Sequence, residues 1–274
     1  MRYCAVVVAC LAVTGAGSAF AVQPPPMAGM ADVALSSAVS GPARTPENIA
    51  RDRYRHPRES LAFWGLKPGM TVVEIWPGGG YWTEILAPYA RATGGKYIAA
   101  VEGTTRPLPP RFAQSSVYGP IGTTVFGEKS PPLAPPATVD FLLTARNIHD
   151  WMGTQGMPEK AFADFYAVLK PGGILAVEQH RADPRPMAKD ASDGYMSTAA
   201  VVKLAEGAGF RLEGQSEINA NPKDTKDHPF GVWTLPPVRR SAPAGQPANP
   251  QFDHAKYDAI GESDRMTLRF RKPA

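Results

Sequence analysis

The sequence predicts an α/β fold in which a seven-stranded, mostly parallel sheet has an antiparallel last strand and helices on both faces. The first observation is an alternation of short apolar segments with segments whose apolar residues recur at helical spacing. The second is a glycine-rich turn, residues 78–80, which joins the first predicted strand directly to a helix. The third is a long stretch without a helical pattern before the last strand. Successive strands without a crossover helix pair antiparallel, so the last strand is predicted to be antiparallel.

The first residues have the features of a secretion signal. Arg2 supplies a positive charge, residues 5–13 form an apolar run, and Ala19-Phe20-Ala21 fits the small-x-small cleavage rule. We therefore expect a signal peptide over residues 1–21 and an exported, periplasmic chain. Cys10, which follows a short apolar run, offers lipoprotein processing as the alternative.

Composition and charge exclude several classes of function. Hydrophobic residues make up 43% and charged residues 20% of the 274 residues, as in globular proteins. The formal net charge of +4 falls to +3 without Arg2, a surplus too small and too evenly spread to indicate nucleic-acid binding. Cys4 and Cys10 both lie in the predicted signal, so the mature chain would have no disulfide or cysteine nucleophile. The five histidines lack metal-ligand spacing, and no metal site is predicted.

The remaining elements follow in order along the chain. Residues 22–45 are rich in Pro, Ala, Gly and Ser, and we expect a flexible lead there, followed by a folded domain over residues 46–274. Proline at a first helical turn predicts helices near residue 46 and over 57–64. The predicted strands are 71–76, 96–101, 122–126, 139–145, 173–178, 212–218 and 265–271. The predicted helices between them are 82–91, 158–169 and 197–207.

The segment 219–263 is polar and marked by prolines, and we expect a long loop insertion before the last strand. Long loops in compact domains tend to be functional, so its first part, residues 219–233, is a candidate lid over a substrate. The charges at Lys223, Asp224, Lys226 and Asp227 are expected to be solvated.

The glycine turn is the strongest functional signal. The strand ending at Ile75 is followed by Trp76-Pro77-Gly78-Gly79-Gly80 and a helix start. Glycines let a ligand approach bare backbone, and a helix N-terminus offers unpaired N–H groups. This position, the carboxyl end of the first strand, is where α/β sheets bind nucleotide-like ligands. A turn that needs positive φ and binds nothing is the alternative.

Polar residues also follow the fourth strand, at Asn147, His149 and Asp150, where a cofactor and a substrate would meet. His149 can accept a proton near neutral pH, and Asp150 can orient its ring. Alternatively, Asp150 caps a short helix on which Trp151 packs.

Two further histidines are weaker candidates. His180 follows the fifth strand, where a lone histidine is more typical of a polar surface. His56 lies where the N-terminal helices fold over the site, but Asp52, Arg55 and Arg58 around it have the spacing of a surface ion-pair cluster.

These motifs together resemble the class I S-adenosylmethionine-dependent methyltransferases, from about Pro46 to the C-terminus. The local motifs are Glu74-Ile75-Trp76-Pro77-Gly78-Gly79-Gly80, the strand 96–101 ending at Glu102, Val139-Asp140-Phe141-Leu142-Leu143 leading to Asn147, and Leu169-Lys170-Pro171-Gly172-Gly173. Three further motifs resemble an exported, poorly characterised group of predicted methyltransferases: Arg55-His56-Pro57, residues 77–88 and residues 219–224.

The resemblance implies a Rossmann-like sheet and S-adenosylmethionine as the cofactor. It implies backbone contacts from Gly78, Gly79 and Gly80 to the carboxylate end of that cofactor. It places Glu74 near the cofactor's ammonium, where a carboxylate is favourable, and Glu102 on the ribose hydroxyls. The implied activity is transfer of a methyl group to a small acceptor, in which alignment does most of the work.

Trp76 departs from the family pattern, because it stands where the loop normally has its first glycine. Its side chain must point away from the cofactor or cover it. A nicotinamide dinucleotide is the competing ligand, but Thr83 stands where its third glycine is expected. Since S-adenosylmethionine is made in the cytoplasm, export leaves a second function open: a small-molecule-binding protein that kept the fold and lost the reaction.

Overall fold

A seven-stranded sheet forms the centre of this computed structural model, which describes Met1, residues 28–103 and residues 106–274, with the backbone alone for 28–32. The strands are β1 (Thr71–Ile75), β2 (Lys96–Val101), β3 (Ile121–Val125), β4 (Val139–Ala145), β5 (Leu169–His180), β6 (Arg211–Ser216) and β7 (Arg265–Arg271). Their order is β3-β2-β1-β4-β5-β7-β6, and β7 runs antiparallel to both of its neighbours. This confirms the predicted mostly parallel sheet with an antiparallel last strand.

Helices of varied length connect the strands in the described residues. They are α1 (Ala28–Ser40), α2 (Pro46–Ile49), α3 (Asp52–Arg55), α4 (Pro57–Trp64), α5 (Thr83–Thr93), α6 (Ser115–Tyr118), α7 (Ile148–Trp151), α8 (Met157–Val168), α9 (Thr198–Gly207) and α10 (Ala255–Ile260). Short 3₁₀ turns occur at Pro110–Ala113 and Gly231–Thr234. None of the described helices combines the length and the apolar composition that crossing a membrane requires.

Two apolar layers cover the sheet, because successive residues of a strand point to opposite faces. Val72 of β1 packs in a buried cluster with side chains of α4 and α5. Val73, the next residue, packs in another with side chains of α7, α8 and α9. Helices therefore lie on both faces, as predicted.

The predicted flexible lead contains a helix, α1, and this part of the expectation is wrong. Leu35 and Ala38, one turn apart, are buried in the same layer as α5. A low charge is typical both of a flexible linker and of a helix with an apolar face. Composition alone therefore does not distinguish the two in this segment. Of the predicted signal, residues 2–21 lie outside the described residues.

The strand order reverses between β1 and β4. From β1 the chain moves outward to β2 and β3, and it then returns to β4 on the other side of β1. The loops after β1 and β4 leave the sheet in opposite directions and open a crevice between the carboxyl ends of these strands, where open α/β sheets bind ligands. The glycine loop, residues 76–80, and Asn147 lie at this crevice.

The connection between β6 and β7 contains the helix α10, so the expectation of a stretch without helix is wrong. Part of the connection is also tied down by buried charges. Asp224 accepts hydrogen bonds from the Tyr195 hydroxyl at 2.9 Å and from His228 Nε2 at 2.8 Å. Lys226 Nζ lies 2.9 Å from an Asp264 oxygen. The expectation that Asp224 and Lys226 are solvated is wrong, because Tyr195 and Asp264 come from distant parts of the chain.

Candidate functional site

The glycine loop is open at its centre and closed at its end. Gly78 and Gly80 have φ values of +57° and +84°, a region that favours glycine. A Cβ added at Gly78 or Gly79 would meet no atom within 4 Å, so the backbone there borders free space. A Cβ at Gly80 would overlap the Phe112 ring. A ligand can therefore reach bare backbone at residues 78 and 79 but not at residue 80.

A hollow of about 190 Å³ borders the open part of the loop, and we call it the glycine cavity. It is lined by Arg51, Glu74, Trp76, Pro77, Gly78, Gly79, Tyr81, Trp82, Ala145, Arg146 and Asn147. Of the predicted cofactor residues, Gly80 and Glu102 are missing from this lining. Larger hollows of about 270 and 500 Å³ lie beside α5, away from the carboxyl ends of the strands.

Glu74 is a buried carboxyl at the wall of the glycine cavity. Its Oε2 accepts hydrogen bonds from Thr83 Oγ1 at 3.0 Å and from the Tyr97 hydroxyl at 2.5 Å. Burial raises the pKa of Glu74 to about 7, although these bonds and the charge of Arg146 act to lower it. The carboxyl is thus divided between acid and anion near neutral pH, and a bound cation would favour the anion.

Trp76 covers the strand ends on one side of the glycine loop. Its φ is +45°, and its indole packs edge-on against Phe126 and Trp151 with ring centroids 6.1 and 5.7 Å away. Trp76 Nε1 donates to the Phe126 carbonyl at 3.0 Å. Because Phe126 directly follows β3, the indole reaches from the end of β1 across the end of β2, toward Glu102. The side chain thus forms part of the wall of the glycine cavity and packs on the rings at the ends of the strands.

Glu102 and Asn147 differ in how they relate to the site. The Glu102 carboxylate lies 3.1 Å from Arg106 Nη1, outside the glycine cavity. Asn147 lines the cavity and donates from Nδ2 to the Ile75 carbonyl at 2.7 Å, which ties the end of β4 to the end of β1. The structure brings Asn147 to the glycine loop and leaves Glu102 apart from it.

A second hollow, of about 120 Å³, adjoins the first, and we call it the histidine cavity. It is lined by Arg146, His149, Asp150, His180, Val232, Trp233, Pro236, Pro237, Val238, Ser263 and Arg265. Both residues predicted on the acceptor side, His149 and Asp150, are present. Part of the predicted lid also contributes through Val232 and Trp233. Arg146 belongs to the lining of both cavities and so forms their common wall.

The hydrogen bonds of His149 define its tautomer. Gln179 Nε2 lies 2.9 Å from His149 Nδ1 and also donates to the Gly194 carbonyl at 3.3 Å, so Nδ1 is the acceptor. The proton of a neutral ring is then on Nε2, which lies 3.4 Å from Asp150 Oδ1. Burial lowers the pKa of His149, and the neutral form prevails at neutral pH. This arrangement makes His149 a donor toward the cavity, whereas the sequence predicted a proton acceptor.

His180 is buried, so its interpretation as a surface histidine is wrong. It ends β5, and its ring centroid lies 5.4 Å from that of His149. Its Nδ1 contacts the Ser263 hydroxyl. Burial, with a smaller contribution from His149, lowers the pKa of His180 well below its usual value. In the described chain, no three His, Cys, Asp or Glu side chains converge in a way that would hold a metal ion.

Four arginines, Arg51, Arg55, Arg146 and Arg265, form an arginine cluster behind and between the cavities. Arg55 is fully buried, and its Nε donates to Glu262 at 2.9 Å. The expectation of a surface ion-pair cluster is therefore wrong for Arg55. Its partner lies 207 residues further along the chain, which no local spacing can show. Arg146, next to Asn147, was also missed, although its place directly after β4 is a signal that a search of strand ends would include.

The arginine cluster has more positive charge than its carboxylates neutralise. Glu262 pairs with Arg51 at 2.6 Å, with Arg55 and with Arg265, while Glu178 lies 3.2 Å from Arg265. Burial acts to raise the pKa of Glu262, but the arginines outweigh it and hold that pKa well below its usual range.

Arg146 is the member of the cluster without a counter-ion. Among the described residues, no hydrogen bond or ion pair reaches its side chain, and its Nε is buried. Burial and then the neighbouring Arg55 lower the pKa of Arg146, but guanidinium groups stay protonated in proteins. Four arginines thus face the carboxyls of Glu178, Glu262 and Glu74, which still leaves an excess of positive charge.

Comparison with solved structures supports the fold. A SAM-dependent methyltransferase from Aquifex aeolicus is 23% identical, with a TM-score of 0.51 over 63% of this chain and 89% of that one. The cyclase SpnF is 16% identical, with a TM-score of 0.57 over 86% of each chain. The chain therefore has the Rossmann-like methyltransferase fold. No protein-family model matches the sequence, and no curated protein matches it.

The glycine cavity fits one end of S-adenosylmethionine better than the other. The open backbone at Gly78 and Gly79, with the Glu74 carboxyl beside it, suits the amino-acid end. For the nucleoside end, the Trp76 indole forms part of the cavity wall, and Glu102 is absent from the lining. The cavity of about 190 Å³ is also smaller than the roughly 300–1,000 Å³ of most small-molecule sites.

Proposed function

We propose that this chain is an S-adenosylmethionine-dependent methyltransferase that acts on a small acceptor. The observation that carries the proposal is the pair of adjoining cavities at the crevice between β1 and β4. One cavity presents a glycine loop and a buried carboxyl, and the other presents histidines and arginines. Such a division suits a cofactor on one side of Arg146 and an acceptor on the other.

Glu74, Gly78, Gly79 and Asn147 would hold the amino-acid end of the cofactor. When bound, S-adenosylmethionine supplies an electrophilic methyl group on a sulfonium. Glu74 would pair with the ammonium, and the loop backbone would contact the carboxylate. Asn147 keeps the ends of β1 and β4 together through its bond to Ile75, which fixes the distance between the two cavities.

On the acceptor side, His149 and Asp150 would orient the acceptor more than activate it. His149 Nδ1 already accepts a hydrogen bond from Gln179, so His149 presents Nε2–H to the cavity. A donor there holds an acceptor's oxygen in one orientation. Alignment is the main requirement of methyl transfer, and it needs no proton acceptor in the chain.

A second candidate function is binding of a small molecule without methyl transfer. Trp76 favours it, because the indole lies across the path of a nucleoside and is held by Phe126 and Trp151. The predicted export of the chain away from cytoplasmic S-adenosylmethionine points the same way. The similarity to a protein named as a cyclase fits the general rule that one fold carries several functions.

Calorimetric titration with S-adenosylmethionine and S-adenosylhomocysteine tests the proposal on the wild type, Trp76→Gly and Trp76→Phe. Trp76→Gly removes the covering indole at a φ that suits glycine, and Trp76→Phe keeps a ring there as the matched control. We expect both ligands to bind the wild type and to bind Trp76→Gly about tenfold or more tightly. Binding by Trp76→Gly alone would favour the non-catalytic function. The absence of heat in all three proteins would refute the cofactor assignment.

A further inference from the structure

Arg146 has the charge and the position of a ligand-binding residue. We propose that Arg146 is the centre of a binding site for a small oxyanion, a carboxylate, phosphate or sulfate group, in the histidine cavity. The anion would lie between Arg146 and Arg265, which both line that cavity.

The charges of the arginine cluster support this assignment. Arg265 already pairs with Glu262 and Glu178, whereas no carboxylate of the described chain forms a direct ion pair with Arg146, on which Glu74 and Glu178 act only from a greater distance. Arg146 is partly buried, and no hydrogen-bond partner meets its buried Nε in the described chain. A guanidinium presents a planar fork that matches two oxygens of a carboxylate or phosphate. An anion in the cavity would supply the missing counter-charge.

The backbone at Arg146 holds this side chain in an unusual position. The φ of Arg146 is +64°, a backbone conformation that residues other than glycine rarely adopt. Its backbone N–H donates to the backbone carbonyl of Glu178 at 2.7 Å. Such conformations persist where the surroundings enforce them, and they concentrate at functional sites.

Among the other polar groups of the histidine cavity, His149 favours an anion and Asp150 opposes one. His149 presents Nε2–H to the cavity. Asp150 opposes an anion, but its side chain is 42% exposed, so water screens its charge. The glycine cavity is less suitable, since Glu74 forms part of its wall. A volume of about 120 Å³ suits a small oxyanion and excludes a nucleoside.

Titration of the full chain with inorganic phosphate, and separately with acetate, tests the site by calorimetry and by the thermal unfolding midpoint at constant ionic strength. The variants are Arg146→Met, Arg146→Lys and the control Arg211→Met, which removes an equal charge from an exposed position on β6. The titration contains no S-adenosylmethionine, so its failure is distinguishable from failure of the cofactor titration.

We expect phosphate to raise the unfolding midpoint of the wild type and of Arg211→Met alike. Arg146→Met should bind phosphate about tenfold or more weakly, because a charge-assisted pair is lost. Arg146→Lys should bind more weakly than the wild type, because lysine keeps the charge without the fork. If Arg146→Met does not fold, Arg146→Lys decides. The site would be overturned if folded Arg146→Met or Arg146→Lys bound phosphate with the affinity of the wild type. It would also be overturned if the wild type responded to neither phosphate nor acetate.

Discussion

The two sides of the glycine loop stabilise their buried groups in different ways. Toward β3, the rings of Trp76, Phe126 and Trp151 pack with centroids 5.5–6.1 Å apart. A single cation, Lys160 Nζ, lies over the outer ring of this group, 5.7 Å from the Phe126 centroid. Toward β7, the arginine cluster packs with Glu178 and Glu262. We call these the aromatic side and the charged side.

The difference indicates where a ligand adds stability. The aromatic side is filled by the chain itself, and a ligand there must displace an indole that already has a hydrogen-bond acceptor. The charged side has a partly buried cation, Arg146, without an ion pair in the described part of the chain, and a ligand there supplies one. Ligand affinity should therefore depend mainly on the charged side, whatever the reaction.

The largest effect is expected from Glu262→Gln on the charged side. The substitution removes the carboxylate that pairs with Arg51, Arg55 and Arg265 and leaves those cations uncompensated. Breaking a buried ion pair in this way costs about 3–5 kcal/mol of unfolding free energy. Urea denaturation at neutral pH measures the loss.

The control for this prediction is Glu213→Gln on β6. Glu213 also pairs with arginines, Arg269 and Arg271, but its side chain is partly exposed. Exposed pairs contribute about 1 kcal/mol or less. If Glu262→Gln loses no more unfolding free energy than Glu213→Gln, the buried ion pairs of the charged side do not contribute more to stability than an exposed pair does. That result would contradict the difference between the two sides.

The residues of the aromatic side can be predicted from the sequence more readily than those of the charged side. The glycine loop and its Trp76 are contiguous, and their strand-turn-helix context is local, so their place in the fold follows from spacing. The bounds of the strands were predicted to within two residues for the same reason, except for β5, which begins at Leu169 and not at residue 173. Glu262 and Arg55 are brought together only by the packing of the last strand's connection on the N-terminal helices, and no periodicity reports that.

The same limit applies to the residues of the cavities. Glu74 and Asn147 were predicted from their places at strand ends, and both line the glycine cavity. Glu102 has the same kind of place, but a side-chain partner four residues further along the chain, Arg106, holds its carboxylate elsewhere. A place at a strand end thus predicts the backbone position of a residue. The direction of its side chain depends on contacts with neighbouring residues, which the sequence pattern does not reveal.

Glu74, between the two sides, gives a pH-dependent prediction. An unfolded carboxyl titrates near 4.5, but burial raises the pKa of Glu74 in the folded chain to about 7. The folded state keeps this proton after the unfolded state has lost it, so the contribution to stability is full below 4.5 and is lost as the pH rises to 7. The loss amounts to about 3 kcal/mol.

Glu74→Gln removes this titration and keeps an oxygen for Tyr97 and Thr83. We therefore expect the unfolding free energy of the variant, relative to the wild type, to rise by about 3 kcal/mol between pH 5 and pH 8. Urea denaturation of both proteins at the two pH values measures it. A difference that stays constant with pH would mean that Glu74 is ionised in the fold and that its surroundings are more polar than its burial indicates.

The smallest effect is expected from Trp76→Phe on the aromatic side. The variant keeps a ring against Phe126 and Trp151 and removes the donor to the Phe126 carbonyl, which costs about 1 kcal/mol of unfolding free energy. No charge changes, so urea denaturation in low and in high sodium chloride should give the same loss, and phosphate affinity should stay that of the wild type. A salt-dependent loss, or weaker phosphate binding, would show that the aromatic and charged sides are coupled through the glycine loop. In that case the position of the Trp76 indole and the affinity of the anion site at Arg146 would depend on each other.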